Sequence, residues 1–192
     1  MNLQRFGELM KAPGTLGQSA LEWRSFLEFT DAYFRARDIL RPVIVEIGVL
    51  SNAQRPFYRE LLNAEHIGID VLDQAPGRPD IVGDSRAPET LEKLRARLAG
   101  RPIDLLFIDG NHLYEYVKFD YENYGPLARH LIAFHDVVST EGGIEVEVNR
   151  LWREICEAEK KNCMITFYRH NDSPTVWAGH EMGIGLIVKD RR

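Results

Sequence analysis

Cysteine is scarce in this chain of 192 residues: Cys156 and Cys163 are the only two. They suit neither a disulfide framework nor a zinc knuckle, and reduced thiols are expected. Basic clusters are missing as well. The 24 Lys and Arg residues are outnumbered by 29 Asp and Glu and form no stripe. Nucleic acid is therefore not expected as the main partner, because neutralising phosphates needs clustered cations. No apolar run approaches the length of a membrane span, so no membrane partner is expected. The opening MNLQRFGELMKAPG lacks the apolar core and small-residue cleavage site of a signal peptide. The expected location is cytoplasmic. Three nucleotide and nucleophile signatures are absent too: G-x-G-x-x-G after the first strand, G-x-x-x-x-G-K-S/T, and G-x-S-x-G. These absences argue against a dinucleotide enzyme, a P-loop enzyme and a serine hydrolase.

What is present is an alternation of helix and strand patterns in a length that favours one domain. Residues 18–37 place Leu21, Phe26, Leu27, Phe29, Tyr33 and Phe34 at amphipathic helical spacing. PVIVEIG then reads as a buried strand ending at Gly48, followed by a helix over about 53–64. HIGIDVL, DIVGDS, IDLLFID and LIAFHDVV are four further strands. Helices are expected at Pro88 to Leu98, with Gly100 as its cap, at about 113–124, and after GGIEVEV. The last two runs, CMITFYRH and GIGLIVKD, have the turn-prone HNDSP and no helix between them, so they are expected to pair antiparallel. The pattern supports an α/β sandwich whose sheet is mostly parallel with one reversed strand.

Charged groups fall where the apolar runs stop, and strand carboxyl ends line the ligand crevice of an open α/β sheet. Glu46 and Gly48 end the first strand: Gly48 lets a ligand approach the backbone, or is simply a turn glycine, and Glu46 is otherwise a half-exposed strand residue. Asp70 ends the second strand, where a carboxylate suits a ribose diol or simply faces water. Asp84 and Ser85 either reach an adenine amine or cap the helix at Pro88. Asp109, His135 and Asp136 on neighbouring strand ends offer oxygen and nitrogen ligands for a divalent cation such as Mg²⁺ or Mn²⁺. His112, three residues after Asp109, is placed to accept a proton from a substrate hydroxyl, or to hydrogen-bond its own loop. His66, His130 and His170 are expected to be structural, and His180 to reach the crevice mouth. Among the tyrosines, Tyr114 is the expected substrate contact. A nucleoside cofactor lacking a pyrophosphate explains an acidic ribose partner without a phosphate loop.

VEIGVLSNAQ, GIDVLD, VGDS, LLFIDGNHLYEYVKFDYENYGPL and LIAFHDVV resemble, in order and spacing, the class I S-adenosylmethionine (SAM)-dependent methyltransferases. The closest likeness is to the metal-dependent branch that includes cephalosporin-hydroxylase-like and macrolide-sugar O-methyltransferases. The resemblance covers about residues 40–150, and GIGLIV extends it toward the C-terminus. It implies a Rossmann-like three-layer sandwich with a seven-stranded sheet whose last strand is antiparallel. Residues 41–192 would form the methyltransferase-like domain. Residues 1–40 would pack on it as a helical segment or complete the pocket, a role a second subunit of a homo-oligomer could also fill. The resemblance places Glu46, Gly48 and Ser51 at the methionine part of SAM, Asp70 at the ribose, and Asp84 with Ser85 near the adenine. It places Asp109, His135 and Asp136 on metal-ligand positions and His112 on the general base. O-methylation of a small-molecule hydroxyl, on a sugar or a natural product, is the activity implied. The single glycine at 48, with Asn52 and Ala53 where small flexible residues are usual, leaves a non-catalytic binding protein as the alternative. His135 stands where a carboxylate is common.

Overall fold

The apolar runs become the strands of one sheet in the computed structural model, which describes residues 1–12, 19–73, 77–138, 146–168 and 182–189. The strands are β1 (Val43–Ile47), β2 (Glu65–Asp70), β3 (Ile81–Val82), β4 (Ile103–Ile108), β5 (Ala128–His135), β6 (Cys163–Phe167) and β7 (Ile184–Val188). The helices are α1 (Leu3–Leu9), α2 (Ala20–Arg35), α3 (Arg55–Leu61), α4 (Pro88–Leu98), α5 (Tyr114–Tyr124) and α6 (Val148–Ala158). The strand order is β3-β2-β1-β4-β5-β7-β6. Strands β1 to β5 are mutually parallel, and β7 runs antiparallel to both β5 and β6. This is the mostly parallel α/β sheet with one reversed strand that the sequence pattern supports, and the seven-stranded Rossmann-like architecture that the resemblance implies. From β1 the chain proceeds outward to β2 and later returns to β4 on the other side. The C-terminal ends of β1 and β4 therefore flank a topological switch point, where such sheets hold ligands.

Both sheet faces are covered, which is why the central strands read as continuous apolar runs. Val45, Ile47, Leu106, Ile108, Ile132 and Phe134 pack beneath Leu94, Val117 and Trp152 of α4, α5 and α6. On the opposite face Ile44, Leu105, Phe107, Leu131 and Ala133 meet Phe6, Trp23, Phe26, Phe57 and Tyr58 of α1, α2 and α3. Trp23, fully buried, forms edge contacts with Phe57, Tyr58 and Phe107 at 5.5–5.9 Å between ring centres.

Several local features depart from the sequence expectations. Helix α1 lies within residues 1–40, expected as a helical segment, but apolar spacing marks no separate helix there. It is seven residues long, capped by the Asn2 side chain on Arg5 N–H, and buries only Phe6 and Leu9. In α2 Leu21 is 42 % exposed, while Trp23 and Thr30 face inward. Helix α3 is shorter than 53–64, because Leu62 closes it with its N–H bonded to the Tyr58 carbonyl. Strand β2 stops at Asp70, leaving Val71 and Leu72 exposed. Strand β3 keeps only two residues. Pro88–Leu98 forms as expected with proline in its first turn. Its left-handed C-cap is Ala99 (φ 50°), with Gly100 following at φ 81°. HNDSP, His170 and His180 lie outside the described residues.

One glycine fixes the packing of α6 on the sheet. A Cβ on Gly185 of β7 would stand 2.8 Å from three atoms of the Trp152 indole. Gly185→Ala is therefore expected to overpack this contact and cost about 1–3 kcal/mol, read as a lower urea midpoint with unchanged m-value. A midpoint equal to wild type would show that α6 does not press on β7.

Candidate active site

The ends of β1, β2, β4 and β5 open into one crevice of about 480 Å³. Its lining includes Gly48, Asp70, Asp84, Ser85, Asp109, His112, His135 and Asp136. Eight of the ten residues singled out for the site thus meet at one place. Glu46 and Ser51 do not line it.

The loop after β1 is closed by Asp70. Its Oδ2 accepts from the N–H groups of Val49 and Leu50 at 2.9 and 2.8 Å, and its Oδ1 accepts from Leu72 N–H at 2.9 Å. Gly48 has φ 83°, and a Cβ there would lie 2.1 Å from the Asp109 carbonyl oxygen. No side chain fits. The turns that further glycines would make are taken by Leu50 at φ 44° and Asn52 at φ 58°. Asn52 is buried and donates through Nδ2 to the Arg78 carbonyl at 3.1 Å. The loop therefore reaches a left-handed course without a glycine-rich sequence, at the steric cost that non-glycine residues carry there.

Asp84 and Ser85 do not cap α4, whose N-cap is Ala87. Asp84 Oδ1 instead accepts from Arg86 N–H at 2.9 Å, and the Ser85 carbonyl accepts from Tyr124 OH at 2.7 Å. Both residues stay on the crevice wall. Arg86 stacks its guanidinium 3.6 Å over the Tyr116 ring and donates to the Tyr116 hydroxyl at 2.8 Å. Tyr116 lines the crevice; Tyr114, the expected contact, does not. Tyr114 is buried under α6 and donates to Glu154 Oε2 at 2.6 Å. The phase of α5 turns it inward, a matter of helix entry angle that the sequence spacing does not show.

Asp109, His112, His135 and Asp136 converge at the end of β4 and β5. His135 Nδ1 lies 3.1 Å from Asp109 Oδ1 and 3.5 Å from Asp136 Oδ1. His112 Nε2 lies 3.2 Å from Asp136 Oδ2 and 3.6 Å from Asp109 Oδ1. These contacts are short but misaligned: both nitrogens of His135 and Nε2 of His112 are buried without a hydrogen-bond partner. Ligand atoms of Asp109, His112 and His135 all fall within 4.8 Å of one another. His112 thus belongs to the most compact set of potential ligands, and Asp136 adjoins it. Burial alone would raise the Asp109 carboxyl, but the positive charge of His135 and the contact with His112 hold it at about 2. Burial disfavours the charged form of both imidazoles. Asp109 and Asp136 override this, lifting His135 well above its ordinary value and His112 to a lesser degree.

Beneath the crevice floor Glu46 is fully buried, contrary to the half-exposed reading. Its Oε2 meets His66 Nε2 at 2.7 Å. Arg55 Nε–H donates to His66 Nδ1 at 3.2 Å, so the imidazole carries its proton on Nε2 and gives it to Glu46. Burial, then the charge of Arg55, keeps His66 neutral, its pKa well below the ordinary value. Burial and the charge of Asp109 raise Glu46 well above its own. His66 is structural, as expected, and its tie to Glu46 spans two neighbouring strands.

Residues 63–137, less than half of the chain, match a family model described as a methyltransferase domain. No curated protein matches the sequence. Among solved structures, the MycE methyltransferase of the mycinamycin biosynthetic pathway, in complex with Mg, SAH and mycinamycin VI, superposes with a TM-score of 0.55 at 17 % identity. The match covers 85 % of this chain and 49 % of that one, so this chain spans about half the length of MycE. The O-methyltransferase TomG from Streptomyces achromogenes, in complex with SAM, gives 0.59 at 15 % identity over 98 % of this chain and 89 % of its own. An O-methyltransferase from Bacillus cereus in complex with SAH gives 0.52 at 15 % identity, covering 97 % and 88 %. The chain has the class I methyltransferase fold.

A further acidic group, Asp120 of α5, went unnoticed in the sequence because nothing in YEYVKFDYENY marks one carboxylate as buried. It is 1 % exposed, and its Oδ1 has no partner. Burial, with the charge of Asp84 adding to it, outweighs a hydrogen bond from Ser85 and raises its carboxyl to about 7. The unfolded chain ionises this group near about pH 4, so its favourable contribution is complete below that pH and is lost as pH rises through 7. Asp120→Asn is expected to be more stable than wild type at pH 8 by about 2–4 kcal/mol, the gap closing toward pH 4. Denaturant titrations at both pH values check this, and a pH-independent difference would refute it.

Proposed function

We propose that the chain is a SAM-dependent methyltransferase that methylates a hydroxyl of a small molecule with the help of a divalent cation. The observation that carries this reading is one crevice joining the loop closed on Asp70 to the Asp109–His112–His135–Asp136 cluster. The family match and the fold support the same reading.

Asp70 Oδ2 already accepts two N–H groups, while Oδ1 accepts one and retains a lone pair for a ribose hydroxyl. Asp84 and Ser85 then stand at the adenine, with the Arg86–Tyr116 stack beside them. Gly48 admits the methionine part, with Ser51 and the buried Glu46 behind the wall. The non-catalytic alternative drew on the reduced glycine content of this loop. Leu50 and Asn52 supply the left-handed residues instead, which removes its motive.

The donor set fits a divalent cation. Both nitrogens of His135 and Nε2 of His112 are buried and lack an aligned hydrogen bond, and two carboxylates stand beside them. Asp109, His135 and Asp136 would hold the ion, which when bound supplies the positive charge that acidifies an acceptor hydroxyl. His112 then accepts the hydroxyl proton at Nε2. The crevice fixes acceptor oxygen and sulfonium in one orientation, which removes most of the entropic barrier to in-line attack.

His112→Ala and Asp109→Asn are each expected to lower SAH release from SAM, across a panel of phenolic and sugar acceptors, by about 10²-fold or more. Calorimetric affinity for SAH should stay within a few fold. Turnover equal to wild type in both variants would sink the mechanism, and absence of SAH heat in wild type would sink the cofactor assignment. Mn²⁺ affinity is expected to rise with pH, with proton release, because the ion must displace the proton that the carboxylates beside it hold on the raised His135 imidazole. Affinity that ignores pH would place the ion elsewhere.

A further inference from the structure

Helix α5 starts directly behind the loop that carries His112, and its N-cap residue Leu113 provides no side-chain cap. The cap comes from 33 residues along the chain: Glu147 Oε2 accepts from Tyr114 N–H at 2.9 Å. The same residue's peptide N–H donates to the His112 carbonyl at 2.8 Å. Glu147 thus grips the loop on both sides of Leu113. Within the loop, Asn111 Oδ1 accepts from Leu113 N–H at 3.0 Å, which closes a local turn without fixing it to the rest of the molecule.

The imidazole is drawn toward two carboxylates but anchored by no aligned hydrogen bond. The backbone that bears the ring therefore decides how Nε2 meets those carboxylates. Glu147 is held in turn: it is the N-cap of α6, and its Oε1 lies 3.8 Å from Arg150 Nη1. Arg150 also stacks 3.9 Å over the Tyr114 ring and reaches Glu154 at 3.4 Å, the acceptor of the Tyr114 hydroxyl. Tyr114, Glu147, Arg150 and Glu154 make one clamp between α5 and α6, outside the crevice lining.

We propose that Glu147 is the positioning residue of His112, its peptide and carboxylate together setting where the imidazole points into the crevice. The proposal rests on the reading of His112 as the proton acceptor only for its catalytic meaning; the placement of the ring is a property of the unliganded chain. Glu147 touches no reacting atom. Its carboxylate caps the helix that follows the base, so losing it frees the first turn of α5 and with it the His112 peptide.

The test is side-chain NMR of the full chain with ¹³C-labelled histidine, the His112 ring signal being assigned by its loss in His112→Ala. Glu147→Ala is expected to move and broaden that signal while the other histidine signals hold their positions. Glu147→Asp keeps the charge and the α6 N-cap but is one methylene too short to reach Tyr114 N–H, and should have the same effect if the alanine variant folds poorly. Glu147→Gln keeps an oxygen at the right reach and should restore the wild-type signal. SAH affinity by calorimetry should stay within about twofold in every variant. An unmoved His112 signal in both the alanine and aspartate variants overturns the proposal. So does a general shift of all histidine signals with a fall in melting temperature, which is the mark of a merely structural role. A wild type that binds no SAH defeats the methyltransferase reading and leaves this outcome readable.

Discussion

The close passage of Gly48 against the Asp109–Gly110 backbone is the constraint on which the site depends. A single added carbon at position 48 would sit 2.1 Å from the Asp109 carbonyl oxygen and 2.5 Å from the Gly110 Cα. The ends of β1 and β4 can cross this closely only because no side chain intervenes. Peptide bonds continue the pairing beyond the strands, with Gly48 N–H on the Ile69 carbonyl and Asp109 N–H on the Ile47 carbonyl, both at 2.8 Å. The loop that Asp70 closes and the cluster that Asp109 anchors are thereby joined backbone to backbone.

Electrostatics at this junction follow from the same compactness. Asp109 and Asp136 are drawn together with His112 and His135 where water has little access, and each charge is tolerated because its neighbours oppose it. Glu46 lies one layer deeper, on the same face of the sheet, and receives the His66 proton donor. The arrangement separates two jobs along the sheet. Near the surface the charged groups line the crevice; below it, a neutral imidazole bonds a buried carboxyl.

Much of this was legible in the sequence, for identifiable reasons. Strands such as VIVEI and IDLLFI announce themselves because both faces are covered, and Pro88 marks the start of α4 in the way a residue with no N–H should. The residues Asp70, Asp109, His112, His135 and Asp136 could be gathered because a parallel sheet aligns its strand ends. What escaped depends on phase and on distant partners. Tyr114 and Tyr116 differ by about 200° around a helix, and only the packing of α5 decides which of them meets the crevice. The burial of Glu46 is explained by His66, twenty residues away on another strand. Helix α1 offers just two buried side chains, too few to show periodicity in seven residues.

The left-handed turns at Leu50 and Asn52 have a thermodynamic consequence. A glycine-rich loop is cheap to bend but samples many shapes, so its order is bought when the ligand arrives. Here the unfavourable torsions are imposed while the chain folds, held by Asp70 on one side and the Arg78 carbonyl on the other. The entropy of loop closure is then charged to the stability of the protein instead of to the affinity of its ligand. A chain with few glycines in this position trades some of its folding free energy for a pocket that exists before anything enters it.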